Sequence, residues 1–86
     1  MTDEDAMTRN PIEQVALLTI FSSLAEGPRS VSDMPRGWPI SRALLRMVAR
    51  RLMNAGLVER AGPNGARLEL TALGWMKAAE LARANG

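Results

Sequence analysis

The chain has 86 residues, 47% of them apolar, a formal net charge of +2, and neither cysteine nor histidine. That length bounds one domain, whose core buries roughly 60–65% of the unfolded surface. The missing residue types exclude disulfides, the usual zinc sites and the usual nucleophile–base pairs.

The nine acids are scattered, several of them within the first five positions, so no carboxylate pair stands out for acid–base work. An enzyme is not expected, and no cofactor or metal is implied. No apolar run approaches the ~20 residues that cross a bilayer. The opening "MTDEDAMTRN" is acidic and polar, unlike a secretory signal. The expected location is the cytoplasm, with no membrane partner.

Charge is unevenly distributed. Residues 1–35 hold two arginines against six acids, a balance of −4. Residues 36–67 hold seven arginines against Glu59 alone, a balance of +6, and residues 68–86 are neutral. A solvated face normally alternates acids with bases. The basic stretch does not, and fits a polyanionic partner.

Taken in chain order, residues 1–9 read as a disordered acidic tail. "NPIEQVALLTIFSSLAEGP" then predicts a helix. Asn10 can cap it, Pro11 suits its first turn, and Glu13 stands where a capping box wants an acid. Gly27 and Pro28 end it. Leu17, Leu18, Phe21, Leu24 and Ala25 share one face. Ile12, Val15 and Ala16 lie on another, mixed with Thr19 and Ser22. A helix apolar on two sides is usually buried on both, so the second face meets either the rest of the monomer or another subunit.

"RSVSDMPRGWP" predicts one or two helical turns, capped by Ser30 or Ser32 and ending near Arg36; Pro35 limits them. Met34 and Trp38 are the expected core anchors. The next helix runs from about Ser41, its cap, to Ala55. Leu44, Leu45, Val48, Leu52 and Ala55 cluster on one side of its wheel. Arg42, Arg46 and Arg50 stand opposite, flanked by Ala43, Met47 and Asn54, with Arg51 at the border.

"GLVERAGPNGARLELT" predicts a β-hairpin turning at Pro63-Asn64-Gly65, with Val58 facing Leu70 and with Arg60 and Arg67 near the tip. "TALGWMKAAELARANG" predicts a closing helix capped by Thr71. Its stripe of Ala72, Trp75, Met76, Ala79 and Ala82 spans about 120° of the wheel. Leu73 and Leu81 fall outside the stripe and are candidates for a subunit contact. Trp38 and Trp75 are expected to fill the core. The six methionines are expected to be core or surface filler rather than a binding stripe.

The order helix, short helix, basic helix, hairpin, helix is that of the winged helix-turn-helix. Three motifs sharpen the likeness: Ile40-Ser41-Arg42, Gly56-Leu57-Val58-Glu59-Arg60, and Leu70-Thr71-Ala72-Leu73-Gly74. Together they resemble the DNA-binding core of MarR-like bacterial transcription regulators, over roughly residues 12–84. PadR-like and ArsR-like regulators share much of the pattern. The resemblance implies a mainly α fold with a small β-hairpin wing. It implies that Ser41, Arg42, Ala43, Arg46, Met47 and Arg50 face the major groove, and that Arg67 takes the place of the wing arginine.

The chain departs from the family in its short wing, which lacks the acid that usually precedes the arginine, and in Pro35. The flanking helices that build the family's dimer and small-molecule pocket are missing or reduced, which argues against a small-molecule effector.

Elementary chemistry supports the same partner. A helix fits the major groove, arginine grips guanine with two hydrogen bonds, and Ala43 or Met47 suits a thymine methyl. Arg36, Arg51, Arg60 and Arg67 suit phosphates, which fix register without reading sequence. Asn64 is a turn residue first and a DNA contact second. One small module binds a half-site weakly, so the expected form is a homodimer through the first and last helices, reading a palindromic operator as a repressor from the nucleoid. Two other roles fit the same residues. A winged helix can dock an acidic protein surface, with the acidic tail covering the basic helix when unbound. It can also bind nucleic acid architecturally, without sequence preference.

Overall fold

The structure, a computed structural model, describes residues 11–35, 37 and 40–85. The expected acidic tail 1–9, the Asn10 cap, and Trp38 as a core anchor lie outside the described residues. Those described form three helices and one antiparallel hairpin. They are α1 (Pro11–Ala25), a 3-10 turn (Val31–Asp33), α2 (Arg42–Asn54), β1 (Val58–Ala61), a second 3-10 turn at the hairpin tip (Pro63–Gly65), β2 (Arg67–Leu70) and α3 (Ala72–Asn85). No helix among them is long and apolar enough to cross a membrane.

α1 buries Ala16, Leu17, Ile20, Phe21, Ser23 and Leu24. The inward face is therefore rotated from the expected one. Ala16 belongs to the core, Leu18 is half-buried, Ala25 is exposed, and Ile12 and Val15 stand outside. The following 3-10 turn is shorter than expected and stops at Asp33, before Arg36. Ser30 occupies the cap position, but its hydroxyl donates to Asp33 Oδ2 at 2.9 Å and caps no backbone group. Met34 anchors the segment at 2% exposure. Gly37 and Ile40 then exchange backbone hydrogen bonds of 3.0 and 2.6 Å, which aims the chain into α2.

α2 begins where its cap predicts. Ser41 Oγ accepts from the Leu44 N–H at 3.1 Å. Such a cap is worth about 1 kcal/mol. Leu45, Val48, Ala49 and Leu52 are its buried residues. Ala49 takes the inward place expected of Ala55, because Ala55 is already the C-cap and is exposed. The helix ends in a Schellman motif: Leu57 N–H donates to Leu52 O at 2.9 Å and Gly56 N–H to Met53 O at 3.1 Å. Gly56 holds φ +78 there, a conformation costly for other residues.

The hairpin has the expected register, with Val58 opposite Leu70 and Ala61 opposite Arg67. Asn64 and Gly65 both take positive φ in the turn, +67 and +61. β2 pairs on its other edge as well: Arg29 and Leu68 exchange backbone bonds of 3.0 and 2.7 Å, tying the chain after α1 to the sheet.

α3 overturns the expected orientation. Thr71 caps it as predicted, accepting from the Gly74 N–H at 3.0 Å. However, the predicted stripe of Ala72, Trp75, Met76, Ala79 and Ala82 faces outward. Trp75 is 50% exposed and Met76 64%, so Trp75 does not fill the core. The inward line is Gly74, Ala78 and Leu81, with Leu81 half-buried against the core. The cause is Gly74: α3 rests on the Leu57 carbonyl there, with no room for a Cβ.

Gly74→Ala should therefore destabilise the fold by about 2 kcal/mol, the cost of overpacking, despite alanine's ~1 kcal/mol advantage in helix propensity. Urea unfolding measures this; a neutral or stabilised variant contradicts the packing of α3 on Leu57.

Candidate functional site

The cationic surface is built on the outer side of α2. Inward Leu45, Val48, Ala49 and Leu52 fix the helix's rotation. Arg42, Arg46 and Arg50 then lie along one outward line, all three exposed. At 1.5 Å rise per residue they cover about 12 Å of helix axis. Ala43 and Met47 are exposed beside them, Met47 at 39%. Ser41 lies at the helix N-terminus, its hydroxyl engaged as the cap.

Ion pairs among the described residues join Arg29 to Glu26, Arg51 to Glu13 and Lys77 to Glu80. None neutralises the row: among the described residues, no carboxylate oxygen comes within 4.0 Å of Arg42, Arg46 or Arg50. Arg51 differs. It is half-buried, and its guanidinium donates to Glu13 Oε2 at 3.2 Å, locking α2 against α1. Glu13 thus pairs across the fold, while the Asn10 end of its expected capping box lies outside the described residues, and Arg51 has a structural partner before any phosphate. Arg36 lies outside the described residues.

The hairpin adds charge beside α2, divided between its two faces. Directly opposed residues of an antiparallel pair share a face. Val58, Arg60, Leu68 and Leu70 therefore point one way, and Glu59, Ala61, Arg67 and Glu69 the other. Arg60 overhangs the buried Leu68 and turns toward α2. Its Nη1 donates to Gly65 O at 3.3 Å, and its stem lies along Gly65. Arg67 stands on the opposite face, its stem against Gly62, in company with Glu59 and Glu69. Arg60 and Arg67, both near the tip as expected, therefore lie on opposite faces of the hairpin. Asn64 is exposed at the turn itself.

Between α2, the 3-10 turn and the hairpin lies an open cleft of about 340 Å³. Val31, Ala49, Met53 and Leu68 supply apolar walls, and Arg46, Arg50 and Arg60 supply cations. Sequence reasoning named these arginines but not the cleft, because its walls come from three separate elements whose mutual packing is not given by spacing along the chain.

A second candidate surface is apolar. Leu18, Phe21, Ser22, Ala25, Ala78, Leu81 and Ala82 line a groove of about 410 Å³ between α1 and α3. Trp75, 50% exposed, lies on the outward side of α3 with Ala82 and is not among the groove's lining residues. Comparison with protein-family models, curated proteins and solved structures gives no match.

Replacing the outward arginines one at a time by alanine should leave stability within about 0.5 kcal/mol of the parent. Arg51→Ala should cost up to about 1 kcal/mol, coupled to Glu13→Ala. Thermal or urea unfolding distinguishes them. Strong destabilisation by Arg46→Ala would show that the row is not a free surface.

Proposed function

We propose that this chain is a winged helix-turn-helix protein that binds double-stranded DNA as a homodimer and regulates transcription, with repression the expected outcome. In this reading α2 enters the major groove and the hairpin is the wing. One observation carries it: three guanidiniums in line on an exposed helix face, with no carboxylate partner among the described residues. A helix presenting such a row matches the width of the major groove, and arginine is the side chain best suited to guanine edges. Arg42, Ala43, Arg46 and Met47 are the base-reading candidates, being exposed on the first turns of α2. Arg50 and Arg60 are better placed for phosphates, and Ser41 contributes the helix N-terminus.

The dimer follows from the apolar surface left over. Ile12, Val15, Leu73, Trp75 and Met76 are 45–64% exposed, on a protein too small to leave them bare without cause. A two-fold interface must be self-complementary. In this reading the α1–α3 groove is the hollow and the exposed Trp75 of α3 the projection, and a second copy supplies both in turn. A stable pair buries about 800 Å² per partner. Two copies then present two α2 helices to successive major grooves of a palindrome.

Arg46→Ala should weaken binding to the preferred duplex by about 10–100-fold, the value of a lost bidentate contact, with unchanged circular dichroism. Equal retention of that duplex by parent and variant would dismiss the groove assignment. Capture of an acidic protein by a chain that retains no duplex at about 50 mM salt would favour protein docking instead.

Trp75→Glu should convert the dimer to a folded monomer, read by light scattering. A parent that is already monomeric at high concentration, or a variant that remains dimeric, would remove this interface.

A further inference from the structure

We infer that Ser32 is a phosphorylation site, its phosphate held across the cleft by Arg46, Arg50 and Arg60 and displacing a bound duplex. The inference rests on the duplex reading above and adds how binding is switched off.

Most hydroxyls among the described residues are committed elsewhere. Thr19 donates to the Val15 carbonyl, and Ser41 and Thr71 cap helices. Ser23 is buried, and Ser22 lies in the apolar α1–α3 groove. Ser30 is half-buried and gives its one proton to Asp33 Oδ2 at 2.9 Å. Ser32 is exposed on the 3-10 turn, its Oγ 2.9 Å from Ser30 Oγ. Because the Ser30 proton is already used, Ser32 is the donor in that pair. Ser32 therefore combines exposure to solvent with a place in the lining of the cationic cleft.

The opposite walls of that cleft carry Arg46 and Arg50 from α2 and Arg60 from β1. Three elements thus bring one hydroxyl and three guanidiniums to a single opening. Among the described residues, no carboxylate oxygen comes within 4.0 Å of those guanidiniums. Like charges gathered at one opening repel until an anion lies among them. The cleft volume of about 340 Å³ leaves room for a phosphoryl group. Phosphoserine carries about two negative charges at neutral pH and presents three acceptor oxygens. With Asp33 next in the chain, about three negative charges would face the three guanidiniums. Opposite an arginine cluster such a group makes about one to three charge-assisted hydrogen bonds.

The step is phosphoryl transfer from a nucleoside triphosphate by a protein kinase. Ser32 Oγ bonds to the γ-phosphorus, the bond to the β–γ bridging oxygen breaks, and the diphosphate leaves. The hydroxyl proton passes to the kinase's catalytic carboxylate. Once formed, the phosphate draws Arg46 away from a base edge and Arg50 and Arg60 away from the strand. Its own charge repels the duplex.

The test uses the chain with genetically encoded phosphoserine at position 32, beside the parent and Ser32→Ala. On the duplex recovered from a random library, the phosphorylated chain should bind at least about tenfold more weakly. Its plot of log K against log salt should be flatter by about two, for two arginines withdrawn. Ser32→Ala should stay within about twofold of the parent, which assigns the effect to the phosphate and not to the lost hydroxyl. Equal affinity of parent and phosphorylated chain would overturn the switch while the duplex reading stands. A second readout needs no DNA. By phosphorus NMR the phosphate should titrate below the ~6 of free phosphoserine, and return to it when Arg46→Gln and Arg60→Gln are combined. An unmoved titration would overturn the arginine seat, and this readout decides alone if the parent retains no duplex. Trypsin releases Ser30–Arg36 as one peptide. Mass spectrometry of that peptide, from cells that make the chain, should find phosphate on Ser32. Its absence from both growing and stationary cells would overturn the site.

Discussion

Everything in this fold is hung from the junction after α2. Gly56 turns the helix end back, and Leu57 buries its side chain beside Leu52 while leaving its carbonyl exposed to two other partners. Thr71 then binds the junction twice: its hydroxyl donates to Gly56 O at 2.6 Å and its N–H to Leu57 O at 3.1 Å. The same hydroxyl caps α3, whose Gly74 packs on the Leu57 carbonyl. One short stretch therefore closes α2, opens the hairpin, receives its return strand and starts α3. The consequence is positional. With both hairpin ends pinned to the base of α2, β1 and β2 project alongside that helix. Arg60 then has no choice but to overhang the cleft beside Arg46 and Arg50.

The electrostatics follow from which acids find partners. Glu13 is used on Arg51, and Glu26 on Arg29, across the α1 side of the molecule. Glu59 and Glu69 oppose each other on the far face of the hairpin, an unfavourable pair beside Arg67, with Glu59 exposed and Glu69 half-buried. The row on α2 is left with its charge unbalanced among the described residues. Such an arrangement attracts a polyanion by counterion release rather than stabilising the fold. An exposed arginine contributes little to stability, so a surface of this kind is better explained by what it meets than by what it supports.

How far the sequence reveals this depends on how one-sided each segment is. α2 has one apolar face and one arginine face, so its boundaries, its Ser41 cap and its outward row are legible from spacing alone. The hairpin register is legible because Pro63-Asn64-Gly65 admits one turn and sets Val58 opposite Leu70. The helices α1 and α3 are not one-sided. Apolar residues surround both, so the wheel cannot choose which line faces in, and the larger side chains mislead. In α3 the decision falls to Gly74, a residue with no side chain, because only there can the helix approach Leu57. Trp75 is thereby turned outward despite its size. In α1, Ala16 and Ser23 are buried because they are small enough to let α1 approach its neighbours. The cleft is least legible of all: its walls come from the 3-10 turn at Val31–Asp33, α2 and the hairpin, and only their packing brings Arg60 beside Arg46 and Arg50.

The central claim is that the arginine line on α2 reads a duplex. Selection of the parent protein against a pool of random duplexes, with a triple Arg42→Ala/Arg46→Ala/Arg50→Ala protein run in parallel, tests it most directly. The account predicts one enriched motif with two-fold symmetry, its half-sites about one helical turn apart, and no enrichment by the folded triple variant. A pool unchanged by the parent, or the same motif recovered by both proteins, would contradict it.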